Sequence, residues 1–180
     1  ILLNRSSISL RIRLPKKDKD KPPTIVIKIT EMIISIPTDA DGSTSVDGAE
    51  FRGLEIDDGS EIWSFEAVNG FADAPPVAID TDDDDVIDRV CWVTWYQETT
   101  ARHGHAGCHD VSGNNPQIDW YNDIEQTSGS PNDEIAVAQP VWMDIDGSGA
   151  PELLVAYGRT LWAWDGDTGT QAAINNNWNN

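Results

Sequence analysis

Lysine is missing from most of this chain. Beyond residue 36 there is none, and only four arginines face 28 acidic residues. The first 36 residues reverse the balance, with eight Lys/Arg and three Asp/Glu. A net charge of −19 argues against nucleic acid and anionic membrane surfaces as partners. It favours divalent cations and basic surfaces. The break divides the chain into a basic segment, 1–36, and an acidic region, 37–180. A Lys-poor, acidic body also suits a salty environment.

Long apolar runs are absent too. None reaches the roughly 18 residues that a membrane-spanning helix needs. No stretch of about eleven residues shows a clean helical period, so no helix is expected. There is no nucleophile elbow, no HExxH and no Gly-rich phosphate loop, which leaves no catalytic motif and no expectation of an enzyme. No CxxCH is present for haem attachment. The chain does not begin with Met and opens in mid-pattern at "ILLNRSSISL". A processed chain or a piece of something longer is therefore expected.

Cysteine occurs only twice, as Cys91 and Cys108. The two flank a turn centred near residues 99–100. In a hairpin with that centre they face each other across two strands. A disulfide and a pair of buried thiols both fit. The disulfide fits better, and it implies an oxidising setting outside the cytoplasm.

What is present reads as strand. "SISLRIRL" (6–13) and "TIVIKITEMIISI" (24–36) alternate apolar and polar residues around the basic turn "PKKDKDKPP", predicting an N-terminal β-hairpin. From residue 37 short β-rich runs alternate with Gly, Asp, Asn and Pro clusters. "FRGLEI", "EIWSFE", "VIDRVCWVTWY", "EIAVAQPVW", "ELLVAYG" and "TLWAW" all read as strands. Segment 97–134 reads as mostly loop, with one or two short strands. The tail "INNNWNN" reads as a fraying end. In strand geometry Trp92 and Trp95 point to opposite faces, whereas Trp162 and Trp164 share one. Exposed tryptophans would leave a glycan surface open. His103, His105 and His109 in "HGHAGCH" read as exposed loop histidines, with a transition-metal site as the alternative.

Three acidic stretches share one register. "DADGSTSVD" (39–47), "DTDDDDVID" (80–88) and "DIDGSGAPE" (144–152) align on their first Asp. Position 1 is Asp39, Asp80 and Asp144. Position 3 is Asp41, Asp82 and Asp146. Position 5 is Ser43, Asp84 and Ser148. Position 9 is Asp47, Asp88 and Glu152. A single match of this kind is an ordinary Asp/Gly turn. Three in one register, beside apolar strands, suit a hard cation that takes six to eight oxygens at ~2.3–2.6 Å. The 39–47 stretch fits least well around position 7 and in the strand that follows.

A second element recurs in "GLEIDDG" (53–59), "GCHDVSG" (107–113) and "AWDGDTG" (163–169). The unit is strand, acidic loop, strand, hairpin, strand, Asx/Gly turn, Trp-bearing strand. Units of roughly 40–50 residues with four short strands suit propeller blades. The stretch "DIDGSGAPELLVAYGRTLWAWDGDTG" resembles an FG-GAP/VCBS-type repeat, the calcium-loop blade of integrin α-chain heads and many microbial surface proteins. "AWDGDTG" and "DDGSEIW" also resemble turns of quinoprotein-like blades.

The resemblance implies an all-β chain of about three propeller-type blades, a partial ring, preceded by the N-terminal hairpin. It implies Ca²⁺ on Asp80, Asp82, Asp84 and Asp88, and on Asp144, Asp146, Ser148 and Glu152. A third ion falls on Asp39, Asp41, Ser43 and Asp47. Serine at position 5 weakens two of these sites, and Asp85 stands where the family has Gly. The implied role is a calcium-binding structural or cell-adhesion module at the cell surface, with a protein partner or self-assembly. The rivals are a filament or surface-layer subunit assembling through the basic segment, and part of a quinoprotein-like or carbohydrate-active enzyme.

Overall fold

A computed structural model describes residues 7–10, 31–38, 48–68, 70, 72, 74–82, 84, 86–97, 102–113, 115–125, 138–157 and 160–175. These residues form strands and, among them, no helix. The first sheet holds β1 (Ser7–Leu10), β2 (Glu31–Thr38), β3 (Gly48–Glu55) and β4 (Glu61–Glu66). The second holds β5 (Val77–Ile79), β6 (Arg89–Gln97), β7 (Arg102–Asp110) and β8 (Gln117–Glu125). The third holds β9 (Val141–Met143), β10 (Glu152–Tyr157), β11 (Thr160–Asp165) and β12 (Gln171–Asn175). Each sheet is an antiparallel meander whose strands lie side by side in chain order.

The three sheets repeat one another in detail. In each, the pairing of third and fourth strands shifts register at one place: Gly53/Leu54, Cys108/His109 and Ala163/Trp164. A bulge of this kind turns the strand and increases its twist. The third strands then end at Glu55, Asp110 and Asp165. The turns after Glu55 and Asp165 close alike. Gly59 N–H donates to the Glu55 carbonyl at 2.9 Å, and Gly169 N–H to the Asp165 carbonyl at 2.9 Å.

Strand alternation explains the stacking. On β6, Val90 and Trp92 enter a core shared with Phe51, Trp63 and Phe65 of the first sheet. Cys91 and Val93 enter a second core, with Leu153, Val155, Trp162 and Trp164 of the third. Strand β6 of the middle sheet is buried on both faces and reads as an almost unbroken apolar run. Trp92 is fully buried; a large aromatic so placed contributes on the order of 3–5 kcal/mol relative to alanine. Trp92 and Trp95 serve opposite cores, and Trp162 stacks on Trp164 with centroids 5.6 Å apart. Both pairings match the strand reading.

Cys91 and Cys108 are register partners on β6 and β7 and form a disulfide. The bond sits inside the second core, with both residues inaccessible to solvent.

Several expectations change. Segment 97–134 is not mostly loop, because β7 and β8 run for nine residues each. Glycine and alanine in β7 signal packing there. A Cβ at Gly104 would lie 2.5 Å from the Tyr157 ring, and one at Gly107 2.9 Å from Trp92. The histidines belong to this strand rather than to an exposed loop, and His105 and His109 are buried. Of the strand expected over 134–142, residues 138–140 lie outside any strand, 141–142 belong to β9, and 134–137 lie outside the described residues. The N-terminal pairing joins β1 to β2, with Ser7 opposite Ser35, and β2 pairs in turn with β3. The charge border at residue 36 thus falls inside a strand. The basic turn "PKKDKDKPP", residues 24–30 and the tail 176–180 lie outside the described residues.

Candidate metal centres

The acidic stretches 80–88 and 144–152 occupy the same joint of their sheets. Each leads from the first strand to the second, β5 to β6 and β9 to β10. Folding brings three carboxylates together in each. Asp80, Asp82 and Asp88 place one ligand oxygen apiece within 4.8 Å of one another, and so do Asp144, Asp146 and Glu152. Oxygens on opposite sides of a Ca²⁺ ion lie about 5 Å apart, given the usual bond lengths. The spread of each trio therefore suits a single ion, although oxygen donors alone do not select calcium.

The two loops are shaped by equivalent hydrogen bonds. The carboxylate at position 9 accepts the N–H of position 2: Thr81 to Asp88 at 2.7 Å, Ile145 to Glu152 at 2.8 Å. The carboxylate at position 3 accepts the N–H of position 5: Asp84 to Asp82 at 3.2 Å, Ser148 to Asp146 at 2.8 Å. Asp144 also accepts from Gly147 and Gly149. Local sequence thus folds each loop around its acids.

Electrostatics differs between the trios. Desolvation, followed by the Asp84 and Asp88 charges, pushes the Asp82 carboxyl above its usual range. Asp146 is held below that range by hydrogen bonds from the Ser148 hydroxyl and N–H. Full charges at the separation of these oxygens add a repulsive term. A divalent cation reverses the sign of that term. Glu152 is buried, while Asp144 and Asp146 are exposed.

The position-5 residues are not part of the trios as folded. Asp84 uses Oδ1 to accept the Val86 N–H at 2.8 Å. Ser148 Oγ contacts the Ala150 backbone at 3.3–3.4 Å. Asp39, Asp41, Ser43 and Asp47 lie outside the described residues. In chain order that stretch links the second and third strands of its sheet, a different joint from the other two.

Sequence reasoning missed a polar neighbour of the first trio. A cavity of about 260 Å³ is lined by Thr81, Asp82, Asp88, Arg89, Asp110 and Ser112. Arg89 crosses from there to the third sheet. It binds Asp119 at 2.9 Å and Asp167 at 2.8 Å, and lies 5.7 Å from the Trp142 ring centre. As one of four arginines in the acidic region it was open to notice, but only the stacked sheets bring its partners together.

No protein-family model matches this chain, and no curated protein sequence matches it. Among the described residues no helix is long and apolar enough to cross a membrane.

Proposed function

We propose that this chain is a calcium-binding structural module of a secreted or cell-surface protein, built from FG-GAP-like β-propeller blades. Its role is to present a rigid surface for adhesion rather than to catalyse a reaction. One observation carries this reading: two carboxylate trios recur at the same joint of successive four-stranded meanders, each tied by the same position-9 to position-2 hydrogen bond. Calcium binds the folded loops and not the open chain, so it adds to folding stability. The disulfide supports an oxidising location.

Calcium titration by calorimetry tests the reading. Two ions per chain are expected at 80–88 and 144–152, and a third would assign 39–47. Asp88→Asn and Glu152→Gln should each remove one ion. At calcium one hundred times Kd, each site adds about 2.7 kcal/mol, which chelation should abolish. A chain that binds no calcium and melts unchanged in chelator would refute both the sites and the blade assignment.

A further inference from the structure

A short chain of contacts joins the end of the first acidic loop to both ends of the second. It begins at Asp88, the position-9 carboxylate of the first loop. The side chain of Asp88 accepts the Thr81 N–H. Its main chain is fixed in the sheet: the N–H donates to the Ile79 carbonyl at 2.9 Å, and the carbonyl accepts the Val111 N–H at 2.7 Å. The next residue is Arg89, whose side chain is 17% exposed. Its guanidinium is held by Asp119 of β8 on one side and by Asp167, in the turn after β11, on the other. The Nη1 group that binds Asp167 also reaches the Gly166 carbonyl at 3.4 Å.

Gly166 carries the contacts into the third sheet. Its carbonyl accepts the Trp120 indole N–H at 2.8 Å, and the Gly169 carbonyl accepts from the Asn122 side chain at 2.8 Å, which seats the turn 165–169 under β8. The Gly166 N–H donates to the Pro151 carbonyl at 3.0 Å. Pro151 is position 8 of the second loop, and the buried position-9 carboxylate, Glu152, follows it. Trp142 connects to the other end of that loop, two residues before Asp144. The Arg89 guanidinium lies 5.7 Å from the Trp142 ring centre, and a Cβ on Gly166 would overlap the same ring.

We infer that Arg89 and Gly166 couple the two acidic loops. Ordering either loop steadies the other, and a divalent cation bound at 80–88 raises the affinity of 144–152. By linkage, a cation at 144–152 raises the affinity of 80–88 by the same factor. The moving part is the turn 165–169, seated on Trp120 and Arg89 or lifted from them. A displacement at Asp88 reaches Arg89 through one peptide unit, and the guanidinium is largely withdrawn from water, where charged contacts are stronger. Whatever orders the first loop favours the seated turn. The seated turn holds the second loop at both ends, so ordering that loop costs less entropy. The cation half of this inference rests on the calcium reading; the mechanical half does not.

Two measurements on the full 180-residue chain test the two halves. The first is amide hydrogen exchange in chelator, comparing the parent with Arg89→Gln. The Ile145, Gly147 and Gly149 amides, which donate to Glu152 and Asp144, should exchange several-fold faster in the variant. The Gly59 and Ala67 amides, bonded within the first sheet to Glu55 and Ala49, should keep their rates. Unchanged rates in the second loop, or equal acceleration everywhere, would overturn the inference. Asp167→Asn, at a largely exposed side chain, replaces Arg89→Gln if circular dichroism shows that variant unfolded.

The second measurement is calcium calorimetry on variants that each disable one loop at an exposed carboxylate. Asp146→Asn should weaken binding at 80–88 by about fivefold or more, and Asp82→Asn should weaken binding at 144–152 by the same factor. With Arg89→Gln added, both effects should vanish. Two sites that ignore each other, or a coupling that survives Arg89→Gln, would overturn the inference and leave the calcium reading intact. A chain that binds no calcium would overturn the calcium reading and the cation half together, and the exchange rates alone then decide the mechanical half.

Discussion

Alanine at Gly169 should destabilise the chain more than alanine at Gly59, and the difference isolates the contact between second and third sheets. Both glycines close the same turn with φ near +70°. Forcing an L-residue into that conformation costs roughly 1–2 kcal/mol at either position. Their surroundings differ. At Gly59 the added methyl meets open space, whereas at Gly169 it lies 2.6–2.8 Å from three atoms of the Trp120 ring. Relieving that overlap means moving a buried indole that is hydrogen-bonded to Gly166, and overpacking of this kind costs about 1–3 kcal/mol. The expected losses are therefore about 1–2 kcal/mol for Gly59→Ala and 2–5 kcal/mol for Gly169→Ala. Urea unfolding at dilute protein, disulfide intact, measures both. The midpoint should shift without a change in slope. In a Trp120→Leu background the Gly169 cost should fall toward that of Gly59. Equal losses in the parent chain would refute the seating of the turn beneath Trp120.

Two further outcomes follow from the cores. His109 stacks on Phe65 with centroids 3.8 Å apart and accepts the Trp92 indole N–H at Nδ1, 3.0 Å away; burial lowers its pKa to about 4. The unfolded chain, with a histidine pKa near 6.5, takes up the proton first, so this residue costs nothing above about pH 6.5. As pH falls from there to about 4 it should remove up to roughly 3 kcal/mol. Denaturant midpoints measured against pH should show that slope in the parent chain and a shallower one in His109→Gln. Identical slopes would refute a neutral, buried imidazole. The disulfide bridges residues 17 apart, and its removal in Cys91→Ala/Cys108→Ala should cost about 3 kcal/mol by loop entropy. A double variant as stable as the parent would show that the bridge does not constrain the unfolded chain.

Much of the candidate site was legible because its determinants are local. Positions 1, 3 and 9 converge in both described loops, since alternate acids in a tight turn accept nearby N–H groups and face inward together. Position 5 stands apart from the carboxylate trios: Asp84 and Ser148 contact neighbouring backbone groups, and spacing alone does not distinguish a ligand from an internal acceptor. Strands with apolar alternation, such as β4 and β11, were legible for the same local reason. β7 was not, because Gly104 and Gly107 are required by rings that arrive from Tyr157 and Trp92. Without those rings "RHGHAGCHD" has the composition of a loop.

By itself the sequence indicated β-strands rather than helices, the two acidic loops and a favoured disulfide between Cys91 and Cys108, each of which depends on neighbours close along the chain. The tertiary structure alone decided which faces of those strands are covered. Only stacking separates Val77, partly buried, and Ile79, buried, from Val141 and Met143, exposed. It also buries His109 and carries Arg89 to Asp167 on the next sheet. Burial depends on what the rest of the chain brings alongside, and apolar residues at equivalent register positions look alike until that partner is in place.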